Sequence, residues 1–133
     1  MLMPRVLLVG LDPAAVDFSD PDLPPGMTEE RIAAGIATAL DTMRSRGWQV
    51  AFCSLHQNDS AEATLAASLK AGWDCVVVGG GIRVPRRNLV FFEQVVNAIH
   101  RGAPGVPIAF NTSPENTVEA AARWLPEQDP TVT

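Results

Sequence analysis

Apolar residues in this chain fall into four short runs separated by longer segments with helical spacing. Residues 5–10, Arg-Val-Leu-Leu-Val-Gly, form a short β-rich run around the apolar stretch 6–9, which predicts a strand covered on both faces. Similar runs at 48–53, 75–78 and 106–110 predict three more strands. Between the first two strands, Thr28 stands as a helix cap with Glu29 and Glu30 in the first turn. Ile32, Ile36, Leu40 and Met43 then fall on one stripe, and Gly47 suits the residue just past the helix end. Asp59 with Glu62 resembles a capping box opening a helix that carries Leu65 and Leu69 and stops at Gly72. Asn88 is placed to cap a helix presenting Phe92, Val95, Val96 and Ile99, which Gly102 ends. Ser113-Pro114-Glu115 reads as cap, N1 proline and acidic N2 of a last helix through Val118, Ala121 and Leu125. From Pro126 onward a frayed tail is expected.

Strands alternating with helices at this spacing imply parallel βαβ units with right-handed crossovers. The expected fold is α/β: a three-layer, doubly wound, four-stranded parallel sheet in the order 2-1-3-4, with helices on both faces. A length of 133 residues without linker or low-complexity tract reads as a single domain. This pattern resembles the small flavodoxin-like, receiver-like and Rossmann-like α/β domains. The resemblance implies a site at the carboxyl edge of the sheet. It does not extend to motifs: the third strand ends in Gly79 where receivers carry a phosphoacceptor Asp, and Asp74 sits at its other end. The first strand is followed by Leu11-Asp12-Pro13-Ala14 where flavodoxins carry a hydroxyl-rich phosphate loop.

The formal net charge of −5 argues against a nucleic-acid partner, and no apolar run has the length of a membrane span. The start reads as a first strand and not a signal peptide, and a cytoplasmic location is expected. Cys53 and Cys75 fall within predicted strands as two reduced structural thiols.

Against this acidic background, Gly79-Gly80-Gly81-Ile82-Arg83-Val84-Pro85-Arg86-Arg87 stands out. One reading is an anion cradle of glycine N–H groups with Arg83 forking onto phosphate or carboxylate. The other is a tight connection whose arginines pair with the chain's surplus carboxylates. The spacing is neither a dinucleotide fingerprint nor a P-loop.

In the order 2-1-3-4, the switch point between the first and third strands brings Asp12 opposite this loop, with Asn111 and Thr112 beside it. Ligand-binding candidates are therefore Asp12, Gly79, Gly80, Gly81, Arg83, Asn111 and Thr112. The long loop 11–27 carries Asp12, Asp17, Asp20 and Asp22 among four prolines, as an acidic surface or a binding loop. Its spacing matches no calcium loop, and no metal site is expected. His56 and Asp12 are the weak catalytic candidates, with Ser54 nearby but no nucleophile elbow. His100, beside Arg101 at a helix end, complements the dipole. The expected function is binding of a small anionic metabolite or nucleotide at this edge, with the cofactor, if any, unidentified. The alternatives are a non-catalytic receiver-like scaffolding domain and a small transferase or hydrolase. The two sheet edges also make a homodimer an expected partner arrangement.

Overall fold

The computed structural model describes residues 3–126; the expected tail beyond Pro126 lies outside them. Strands β1 (Arg5–Leu11), β2 (Gln49–Leu55), β3 (Cys75–Val78) and β4 (Ile108–Phe110) form one all-parallel sheet in the order β2-β1-β3-β4. The expected fold class and strand order are both observed. β1 runs the length of β2, from Arg5 opposite Gln49 to Leu11 opposite Leu55, and pairs with β3 from Val6 opposite Cys75.

Strand side chains alternate between two buried faces, which is why the strands read as unbroken apolar runs. Leu7, Val9, Val76 and Val78 face one core, shared with α2 (Ala61–Leu69) and α4 (Leu89–Gly102). Val6, Leu8, Cys75 and Val77 face the other, shared with α1 (Glu29–Ser45) and α5 (Thr117–Ala122). No helix among the described residues is long and apolar enough to cross a membrane.

The helix signals resolve individually. Thr28 accepts from Arg31 N at 3.1 Å, and Gly47 and Gly72 adopt positive φ (86° and 83°) where their helices have ended. The expected Asp59 box does not form. Helix α2 begins two residues later, and Asn58 organises the approach by accepting from Ser60 N and Oγ. Asn88 occupies the cap position of α4 but makes no capping bond; its Nδ2 donates instead to Gly81 O at 3.1 Å. The buried stripe of α4 is Phe91, Val95, Ala98 and Ile99, so Phe92 and Val96 lie at its margin. The last helix opens as a 3-10 turn, Pro114–Asn116, whose Asn116 completes a capping box with Ser113. It ends at Ala122, and Leu125 packs beyond it into the core. The glycine–arginine segment is a further short helix, α3 (Gly80–Arg83), followed by a 3-10 turn at Arg86–Asn88.

Candidate functional site

At the carboxyl ends of the strands, Gly79 N donates to Val9 O at 2.8 Å, the last tie before β1 and β3 diverge. A cavity of about 460 Å³ opens there, on the α1 side of the sheet. Its floor is Leu8, Gly10 and Phe52, and one wall is Ile32 and Ile36 of α1. The glycine run and Asn111–Pro114 close the far side, and Val16, Leu23, Pro24, Pro25 and Met27 of the long β1–α1 loop complete it. Most of this lining is apolar, the usual character of a small-molecule pocket. A groove of about 570 Å³ opens between α2 and α4 on the opposite face, but its rim is Gln57, Asn58, Asp59, Glu62 and Arg87, and it is not at the switch point.

The three glycines have different reasons to be glycine. A Cβ on Gly80 would sit 3.1 Å from Thr112 O, and one on Gly79 would sit 3.3 Å from Val9 O. Both approaches are backbone to backbone and leave little room to give. A Cβ on Gly81 would meet nothing within 4 Å, and Gly81 borders both this cavity and a smaller one of about 230 Å³ under the β1–α1 loop. Gly79 and Gly80 do not present free N–H groups to a ligand: Gly79 N is bound to Val9 O, and Gly80 N donates to Asn111 Oδ1 at 2.9 Å.

Asn111 is buried and fully engaged. Beyond accepting from Gly80, it donates through Nδ2 to Thr117 Oγ1 at 2.9 Å, and Thr117 in turn donates to Pro114 O at 2.6 Å. It thereby ties the start of α3 to the start of α5, positioning two cavity walls. Thr112, more exposed, lines the cavity while its N–H donates to Asn116 Oδ1 at 3.1 Å.

Arg83 does not face the cavity. Its guanidinium lies 6.0 Å over the Phe110 ring and donates to Asn111 O at 3.2 Å, while its Nε is buried without a partner. Arg86 and Arg87 turn toward the β1–α1 loop. Arg86 pairs with Asp22, and Arg87 with Asp17 and, at 3.0 Å, with buried Asp20. For these two arginines, pairing with surplus carboxylates is the observed arrangement. Among the cavity-lining residues the one basic side chain is Arg31, at the start of α1, which no sequence motif marks. One of its nitrogens donates to Gly26 O at 2.8 Å.

Asp12 also lies apart from the cavity, against β2. Its Oδ1 accepts from Ala14 N at 2.9 Å and its Oδ2 from Ser54 Oγ at 2.9 Å. These two bonds, with His56 3.9 Å away, hold its carboxyl below the usual value of 3.8. The Ser54 hydroxyl thus gives its proton to Asp12 and not to His56, so the three side chains do not form a serine–histidine relay. Among the described residues no group of three or more His, Cys, Asp or Glu is arranged to hold a metal ion.

The expected edge therefore divides in two: Gly79, Gly80, Gly81, Asn111 and Thr112 border the cavity, whereas Asp12, His56 and Arg83 do not. The loop's share of the apolar lining carried no sequence signal beyond the loop's length and proline content. The chain matches no protein-family model and no curated protein.

Proposed function

We propose that the protein binds a small metabolite with a substantial apolar body and one anionic group in the cavity beside Gly81. The observation that carries this reading is the cavity itself: apolar, about 460 Å³, and set at the switch point where α/β sheets receive ligands. Phe52, Ile36 and the loop prolines suit a ring or branched hydrocarbon. Arg31, with the hydroxyls of Thr112 and Ser113, supplies the polar end. Glu115 on the same rim works against a multiply charged group, so a carboxylate or sulfonate fits better than a polyphosphate.

A thermal-shift panel of aromatic and aliphatic carboxylates, sulfonates and phosphates tests this, with Gly81→Leu as the blocked control. A ligand at about 100 times its Kd adds about 2.7 kcal/mol of stability. Stabilisation by apolar monoanions that Gly81→Leu abolishes supports the reading; a flat panel contradicts it.

A second reading, a domain acting through protein contacts, draws on Leu89 and Val90, which stand exposed at the start of α4. Sedimentation of the wild type against Leu89→Lys/Val90→Lys distinguishes it.

A further inference from the structure

We propose that residues 12–28 form a lid on this cavity, latched shut by Arg86 and Arg87. The proposal rests on the reading that the cavity receives a ligand, and it assigns how access to that site is controlled.

The segment is poorly packed on both sides. It walls the main cavity through Val16, Leu23 and Met27, and a second cavity of about 230 Å³ separates it from the α3–α4 connection. Val16 and Leu23 border both spaces. Val16 packs against the core, whereas side chains that face these voids forfeit dispersion contacts.

What spans the second gap is charge. Asp22 accepts from Arg86 N at 2.9 Å, Nε at 3.2 Å and Nη2 at 3.1 Å. Arg87 reaches Asp17 and the buried carboxylate of Asp20. Both arginines come from one 3-10 turn, which Asn88 fastens to Gly81 O. The latch is thereby anchored to the cavity's own glycine wall.

Apart from bonds at its two ends, Ser54 Oγ to Asp12 Oδ2 and Arg31 to Gly26 O, the remaining polar bonds of the segment are local. Asp17 Oδ1 accepts from Ser19 N and Oγ, and Asp20 Oδ1 from Asp22 N at 2.8 Å. Such turns keep their shape when the segment lifts, so it moves as a unit. Its ends are fixed. Asp12 N is bonded to Leu55 O at 2.8 Å, and Thr28 caps α1, with Gly26 at φ 81° just before it. These are the hinge positions. The Arg86 side of the Asp22 pair is exposed and screened by salt, whereas the Arg87 pair to buried Asp20 is screened less, so the Asp22 arm is the one that yields first.

Hydrogen exchange on the full chain without ligand tests the lid. In an Asp22→Asn/Arg86→Gln variant, amides of residues 14–25 exchange about three to ten times faster, while those of β1 and β3 are unchanged. Raising NaCl from about 0.05 to about 1 M produces the same loosening in the wild type and little more in the variant. Equal protection of residues 14–25 in both proteins at both salt concentrations overturns the latch. Arg87→Gln repeats the test on the Asp17 and Asp20 arm. Stopped-flow binding of an anilinonaphthalene sulfonate dye adds the link to the cavity, with association and dissociation both faster in the variant. Dye rates that do not change while exchange quickens overturn the lid's control of access. A wild type that binds no dye refutes the cavity reading, and the exchange result still decides the latch.

Discussion

Arg86 and Asp22, 64 positions apart in the chain, are joined by three hydrogen bonds, two from the guanidinium and one from the Arg86 backbone. The geometry makes Arg86 a partner of the chain's own carboxylate, the second of the two readings of the glycine–arginine segment. Three charge-assisted bonds to one carboxylate, with the guanidinium alongside, favour its ionised form.

The Asp22 carboxyl is accordingly held below its usual value of 3.8, chiefly by the Arg86 side chain and then by the Arg86 backbone N–H. A carboxyl depressed in the folded state contributes its stabilisation above the unfolded value and loses it as pH falls through the folded one. The Asp22–Arg86 contact is therefore constant at neutral pH and lost in acid, below 3.8. Limited proteolysis with an acid-active protease sees this as a rise in cleavage within residues 14–25 on acidification. In Asp22→Asn that rise is smaller, because the variant is already loosened at the start of the titration.

Gly80 and Gly81 are neighbours with opposite tolerance. Gly80→Ala forces a methyl against Thr112 O at 3.1 Å, a backbone atom, and lowers stability by about 1–3 kcal/mol. Gly81→Ala places its methyl in open space at a helical position and leaves stability unchanged or raises it by about 0.5–1 kcal/mol. Chemical denaturation of the two variants separates them cleanly.

Asn111→Ala removes the acceptor of Gly80 N–H and the donor to Thr117 in a buried site. Leaving these groups without partners costs about 2 kcal/mol, read as a lowered midpoint in urea. The same variant weakens ligand binding, because the walls it joins are no longer held together.

Cys53 and Cys75 are free and buried. Burial, with some help from Asp74, pushes the Cys75 thiol up to about 11, and burial also raises Cys53. Few thiolates form at pH 8, and neither sulfur is accessible. A disulfide reagent under native conditions therefore reacts at the rate of unfolding, and in denaturant reacts at once with both.

The fold was legible because each element carried its own signal. Unbroken apolar runs marked the doubly covered strands, and Thr28, Gly47 and Gly72 marked helix ends by mechanisms that need no tertiary context. Where local signals compete, the chain chose otherwise. Asp59 lost the start of α2 to an Asn58 turn, and Asn88 spent its side chain on Gly81 O instead of its own helix. That the sheet's switch point would open at this edge was legible from topology, but the lining of the cavity found there was not. Whether Arg83, Arg86 and Arg87 face a ligand depends on where the β1–α1 loop folds back. That loop is shaped by contacts across 64 and more positions, and no local pattern encodes them. The apolar lining was hidden for a similar reason: Val16, Leu23 and Met27 are spaced like ordinary loop residues until the loop closes over Phe52 and Ile36.

The most direct measurement is an equilibrium titration of an anilinonaphthalene sulfonate dye into the wild type, Gly81→Leu and Arg31→Gln, followed by fluorescence and calorimetry. The account predicts one dye per chain on the wild type, no saturable binding by a folded Gly81→Leu, and weakened binding by Arg31→Gln. Binding that is indifferent to Gly81→Leu, or that has no defined stoichiometry, would contradict it.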